Sequence, residues 1–262
     1  MIKSKYRHET MHDAEALEKW FFIPNPNPDA AIRLFCFPYA GGGGSVFFNW
    51  PKYLDKNIEV VAVRMPGREG RFKEKPFHNT RDAVLELIQM IPFMLDRPFA
   101  FFGHSLGTRI SFELARELRK RGYPEPVYFF MSAGRAPHLP VNDRFLYQLP
   151  DDQFIEKIKA YNGLPKIISE NSELMNLFIP VLKADIEIFK AYEYKEDKAF
   201  CAPIVVFGGM QDPIESPKGL EDWQMHTNGE FNIYLFPGGH FFIKDHVREV
   251  LELISNSLLA YL

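Results

Sequence analysis

Residues 103–107 read Gly103-His104-Ser105-Leu106-Gly107. They stand between an apolar run, 99–102, and a helix-like stretch, 108–121. A Gly-x-Ser-x-Gly in that setting is the sequence of a sharp strand-to-helix turn that exposes a serine hydroxyl. The glycines are needed because strand and helix close on the turn and leave no room for a Cβ. A serine hydroxyl becomes a useful nucleophile only when a base takes its proton, and the base works best when an acid orients it. In a sheet of this kind the partners follow in the order acid, histidine, each on a loop just after a strand. The strand-like run 203–207 ends in Gly208-Gly209-Met210-Gln211-Asp212-Pro213, and the next, 231–236, ends in Pro237-Gly238-Gly239-His240. Ser105 is therefore read as the nucleophile, His240 as general base and then acid, and Asp212 as the orienting carboxylate. Glu215 lies close enough in the chain to be a rival acid. Among the other histidines, His104 sits inside the turn and packs or bonds beside the serine. His246 falls in the last helix, and His138 and His226 lack the strand-end placement.

Attack on a carbonyl builds negative charge on its oxygen, which preorganised backbone N–H groups stabilise. One donor is expected from Leu106, the residue after the nucleophile. The other is expected from the glycine-rich loop after the strand-like run 31–37, which reads Pro38-Tyr39-Ala40-Gly41-Gly42-Gly43-Gly44-Ser45. The Ala40 N–H is the nominated donor. A phosphate cradle is the rival reading of such a loop, but no Gly-Lys-Ser/Thr follows and the dinucleotide fingerprint spacing is absent.

Strands must bring these loops together. Further strand-like runs occupy 58–63 and 126–131, and 81–95 carries apolar residues at helical spacing. The alternation predicts an α/β fold, a mostly parallel central sheet with helices on both faces. Ligands of such sheets bind beyond the carboxyl ends of the strands, where all three candidate residues fall. Residues 1–30 read as a polar N-terminal lead-in ending in Asn25-Pro26-Asn27-Pro28, and 31–262 as the main domain. Within it, 137–198 breaks the alternation with two helix-like pieces, 151–161 (Asp151 as its cap) and 172–192. This insertion is expected to cover the site as a helical lid. Its inner side would carry Phe154, Ile158, Leu174, Leu177, Phe178, Val181, Leu182, Ile186 and Phe189.

The chain has 262 residues, 46% hydrophobic and 25% charged, which fits one domain with a sizeable core. A net charge of −3 with no basic face makes nucleic acid an unexpected partner. Cys36 and Cys201 are too few for a disulfide framework and are read as buried thiols of a reducing compartment, the cytoplasm. No Cys/His group has zinc-site spacing, so no metal is expected. No run is long and apolar enough for a membrane span, and none is expected.

The motifs together resemble the type II thioesterases of the α/β-hydrolase superfamily, stand-alone editing enzymes of nonribosomal peptide and polyketide synthases. The resemblance runs from about residue 31 to the end. It rests on the elbow, on Phe37-Pro38-Tyr39-Ala40-Gly41-Gly42, on Met65-Pro66-Gly67-Arg68-Glu69, on Leu149-Pro150-Asp151-Asp152-Gln153-Phe154, and on the loops bearing Asp212 and His240. Thr108 departs from the small residue common after the elbow. The resemblance implies hydrolysis of acyl thioesters held on the phosphopantetheine arm of carrier proteins, with a preference for short misloaded acyl groups. A monomer is expected, with no cofactor beyond the phosphopantetheine arm that the substrate carries. Arg64 or Arg68 would meet the arm's phosphate or else be solvated loop arginines. An acyl-CoA or fatty-acyl chain-terminating thioesterase, and a non-catalytic ligand receptor on the same scaffold, are the alternatives.

Overall fold

The computed structural model of the chain describes residues 11–140, 145–164, 166–189 and 192–262. A short helix α1 (Met11–Trp20) leads into β1 (Phe21–Phe22). Then follow β2 (Ile32–Phe37), β3 (Ile58–Val63), α2 (Thr80–Met90), β4 (Phe99–His104), α3 (Leu106–Lys120) and β5 (Tyr128–Ser132). Helices α4 (Asp151–Ala160), α5 (Lys166–Ser169) and α6 (Ser172–Glu187) come next. The chain closes with β6 (Ile204–Gly209), α7 (Pro217–Glu221), β7 (Phe231–Phe236) and α8 (Val247–Tyr261).

The seven strands form one sheet in the order β1-β3-β2-β4-β5-β6-β7. All neighbouring pairs are parallel except β1–β3. The chain lays β3 on one side of β2 and β4 on the other, so the order reverses between β2 and β4. That switch point opens a crevice at the strand ends, where the loop after β2 and the turn after β4 meet.

Both faces of the inner strands are covered, which is why they read as continuous apolar runs. In β4, Phe99 and Phe101 enter one core layer with Ile88 of α2 and Leu114 of α3, while Ala100 and Phe102 enter the other with Trp50 and Leu251 of α8. The alternation follows from the two-residue period of a strand. Phe35, Phe37, Phe101 and Phe129 meet edge to face across three strands.

Several boundaries differ from the sequence reading. The lead-in holds α1 and β1: Phe21 pairs with Val63 and is buried in the core. The helix read over 81–95 stops at Met90 and tightens into a 3₁₀ turn over Ile91–Met94, because Pro92 has no N–H to continue it. Asp151 is the first residue of α4 rather than its cap; its carboxylate pairs with Lys183 of α6 at 2.5 Å. Asn171 caps α6, accepting from the Glu173 and Leu174 amides. The helix read to 192 ends at Glu187, and 190 and 191 lie outside the described residues. Leu174 and Leu177 face solvent rather than inward. His246 precedes α8 and packs its ring, tilted, against Phe236. Cys36 is buried, with its thiol pushed up by desolvation, whereas Cys201 is exposed because it lies in the bend before β6.

Candidate active site

The turn after β4 has the geometry its sequence demands. Ser105 has φ +53° and ψ −113°, a left-handed conformation that L residues rarely adopt. Its N–H is tied to the Ser132 carbonyl of β5 at 2.8 Å. A Cβ on Gly103 would lie 2.5 Å from the Gly107 backbone, and one on Gly107 would lie 2.1 Å from the Phe37 carbonyl oxygen. The strain at Ser105 is thus held by close packing that only glycine allows. Thr108, the departure from the family pattern, fits because it faces Gly134, where a Cβ would sit 2.2 Å from Thr108 Oγ1. Its hydroxyl donates to the Ser105 carbonyl at 2.7 Å.

The loops after β6 and β7 are laced to each other. The Met210 N–H donates to Phe236 O, the Gln211 N–H to Gly238 O, and the Gly238 N–H returns to Gln211 Oε1 at 2.6 Å. Gly209 lacks a Cβ where one would meet the Gly239 carbonyl oxygen at 2.3 Å. This lacing carries Asp212 and His240 together. His240 Nδ1 lies 2.8 Å from Asp212 Oδ2, and His240 Nε2 lies 2.9 Å from Ser105 Oγ. Asp212 Oδ1 accepts from the Ile214 and Glu215 amides at 2.8 and 3.1 Å, which fixes the carboxylate. Ser105, His240 and Asp212, distant in the chain, thus form one hydrogen-bonded relay. Such a relay can pass a proton from the serine to the imidazole.

The rivals are placed elsewhere. The hydrogen bond to His240 Nδ1 is Asp212's; Glu215 Oε2 instead pairs with Arg135 Nε at 2.7 Å, and burial pushes its carboxyl up against the pull of that arginine. His104 is buried, with Nδ1 2.9 Å from Ser132 Oγ and its ring packed on Tyr39, His240 and Phe241. Desolvation holds it well below the ordinary histidine range, so it is neutral. His138 Nδ1 and His226 Nε2 are hydrogen-bonded to each other at 2.9 Å, their rings tilted, in a separate aromatic cluster.

Ser105 and His240 open onto a cavity of about 940 Å³, counting the space at its open mouth. Ala40 and Tyr39 line one side, and Leu146, Ile158, Leu182 and Ile186, from the segment between β5 and β6, line another. Leu106 begins α3, so its N–H is one of the helix's unshared N-terminal donors. Ala40 lies in the loop after β2 and Leu106 follows the serine after β4, the two strands on either side of the topological switch.

Arg68 is neither solvated nor open to a phosphate. It is buried and forms a bidentate pair with Asp185 of α6, at 2.5 and 2.7 Å. Arg64 lies over the Phe22 ring and donates to the Glu18 carbonyl. Neither arginine lines the cavity. Sequence reading missed Asp185, because nothing in an apolar helix pattern announces a partner 117 residues away.

The fold is that of the α/β-hydrolases. The chain belongs to the thioesterase family, whose domain model matches residues 32–258, and it is a hydrolase acting on thioesters. It is 40% identical over 242 residues to the gramicidin S biosynthesis protein GrsT of Aneurinibacillus migulanus, spanning 92% of this chain and 94% of that one. It is 36% identical over 244 residues to the medium-chain S-acyl fatty acid synthase thioesterase of Rattus norvegicus, spanning 87% and 91%. Among solved structures, the RedJ thioesterase of the prodiginine biosynthetic pathway in Streptomyces coelicolor superposes with a TM-score of 0.81. It is 33% identical, covering 87% of this chain and 90% of that one. The resemblance to type II thioesterases read from the motifs is thereby upheld.

Proposed function

We propose that the protein is an editing thioesterase that hydrolyses acyl groups from the phosphopantetheine arm of carrier proteins, with Ser105, His240 and Asp212 as its catalytic triad. The observation that carries the reading is the unbroken relay from Asp212 through His240 to Ser105 at an apolar cavity. In the first half-reaction Ser105 Oγ attacks the thioester carbonyl while His240 Nε2 takes its proton. Asp212 holds the imidazole in the right tautomer and stabilises the imidazolium. The Ala40 and Leu106 N–H groups receive the oxyanion. The C–S bond then breaks, and His240 gives the proton to the departing thiol sulfur. In the second half-reaction a water attacks the acyl-serine, its proton passing to His240. Collapse releases the acid and returns the proton to Ser105. The chemistry as written draws on these side chains, two amides and water.

Residues 31–262 form the catalytic domain in this reading, 1–30 a lead-in, and 137–198 a lid whose apolar face receives the acyl chain. Ile158, Leu182 and Ile186 on the cavity wall support that role. The partners are acyl- or peptidyl-carrier domains of a synthase of antibiotic type, an assignment supported by the pathways named for GrsT and RedJ. The protein would act as a monomer in the cytoplasm. Among the described residues no helix is long and apolar enough to cross a membrane.

Likeness to the rat fatty acid synthase thioesterase favours one second reading, fatty-acyl chain termination. A single comparison tests both: hydrolysis of acetyl-, propionyl- and decanoyl-carrier against the matching acyl-CoA esters. The editing reading predicts faster release from carriers and a preference for the short groups, with all release lost in Ser105→Ala. Equal rates on carrier and CoA would remove the carrier assignment, and a preference for decanoyl would transfer the case to chain termination.

A further inference from the structure

The loop that would supply the Ala40 donor has little shape of its own. Residues 41–44 are four glycines, and no residue in 38–45 is charged. Its conformation is imposed from outside. Tyr39–Gly42 is a tight turn: the Gly42 N–H donates to the Tyr39 carbonyl at 2.8 Å, and Gly41 has φ +76°, as the third residue of a type II turn requires. The Tyr39 carbonyl and the Ala40 N–H share one peptide plane, so closing this turn fixes the direction of the proposed donor.

Three side chains grip the loop. Asp185 Oδ2 accepts from the Gly41 N–H at 2.7 Å. Arg68 donates to the Gly42 carbonyl at 3.1 Å and clasps Asp185 with both terminal nitrogens. The Glu69 carboxylate accepts from the Gly44 and Ser45 amides, both at 3.0 Å. Asp185 is completely buried, and a Cβ on Gly41 would lie 2.6 Å from the Phe178 ring, so the turn lies flat against α6. A buried ion pair contributes little net stability, since desolvation offsets the attraction. What this one supplies is a fixed location for two backbone groups of the loop, the Gly41 N–H and the Gly42 carbonyl.

We propose that Arg68 and Asp185 are positioning residues for the oxyanion donor, and that α6 is thereby a working part of the oxyanion hole. The inference rests on the catalytic roles proposed above for Ser105 and Ala40. Its consequence is a coupling between acyl fit and catalysis. Leu182, about one turn before Asp185 on the same helix, and Ile186, the residue after it, line the cavity. An acyl chain that lifts α6 draws Asp185 away from Gly41 and loosens the donor.

The test uses the full chain with Asp185→Asn, Arg68→Lys and the double substitution. Each is assayed for kcat and KM on an acyl-carrier substrate. Each is also titrated with a hexyl trifluoromethyl ketone, which adds to Ser105 Oγ as a tetrahedral adduct bearing the oxyanion. Misplacing a donor by about an ångström predicts a kcat loss of roughly 10- to 100-fold in either single variant. KM stays within about threefold, ketone affinity falls in step with kcat/KM, and the pH midpoint of kcat/KM stays put because His240 is untouched. The double variant loses no more than the worse single one, since both act through one pair. Wild-type kcat and ketone affinity in the single variants would overturn the proposal. So would a rise in KM alone, or losses that multiply in the double variant. If Asp185→Asn fails to fold, Arg68→Lys decides on the same measurements. Turnover surviving in Ser105→Ala is a different failure: it would remove the serine mechanism first, and the brace with it.

Discussion

Two histidines and two carboxylates crowd one small volume, and their hydrogen-bond partners separate them. His240 has a carboxylate on one nitrogen and the serine on the other. His104 meets only a hydroxyl through Nδ1, and its Nε2 is buried without a partner among the described residues. Asp212 is fixed by two amides and points at His240, whereas Glu215 is committed to Arg135. Asp212→Asn should therefore cut kcat/KM on an acyl thioester by roughly 10³–10⁴, the loss typical when the imidazole is left in the wrong tautomer. Glu215→Gln should cost less than about tenfold in kcat/KM and should appear chiefly as a lower denaturation midpoint, because Arg135 loses its buried partner. Equal kinetic losses in the two variants would contradict the division of roles. The triad positions were legible because each obeys a local rule, a loop just after a strand. The clasp of Arg68 was not: its partner lies on a helix folded over it from far along the chain, and no local pattern encodes that distance.

At the scale of elements, the elbow works because β4, α3 and β2 approach to backbone contact. Gly107→Ala places a methyl 2.1 Å from the Phe37 carbonyl oxygen, a backbone atom that cannot swing aside. The variant should lose about 1–3 kcal/mol or more in denaturant unfolding, and hydrolysis with it, as α3 is pushed off the sheet. Gly122→Ala is the contrast: nothing lies near the added methyl, and only its positive φ opposes the change. It should leave hydrolysis intact. A Gly107→Ala variant as stable and active as wild type would show that the turn is looser than described. Strands and their order of use were readable from apolar runs between turn residues. Boundaries were less so: Pro92 converts the end of a periodic stretch into a 3₁₀ turn, and β1, two residues long, is too short to show any period. Its place at the sheet edge comes from pairing with β3.

Across the whole molecule, two apolar layers sandwich the sheet, and buried histidines make that arrangement sensitive to acid. His226 is held down to about 4, by burial first and then by His138, and His104 is also well below its ordinary value. The unfolded chain takes up protons at these positions near pH 6.5, where the folded protein refuses them. Stability contributed by keeping them neutral is full above about pH 6.5 and drains as the pH falls toward 4. Glu215, pushed up by burial, works in the opposite sense and offsets part of the loss. Denaturant midpoints should fall from pH 7 to pH 5, and His226→Phe should flatten the decline. A midpoint unchanged across that interval would contradict this account of the buried histidines.

The most direct measurement of the central claim is a rapid acid quench of enzyme mixed with an acyl-loaded carrier, followed by proteolysis and mass spectrometry. The account predicts the acyl mass on the peptide containing Ser105, appearing before free acid accumulates and absent from Ser105→Ala. Acid released at an undiminished rate by Ser105→Ala, or an acyl group found on another side chain, would contradict it.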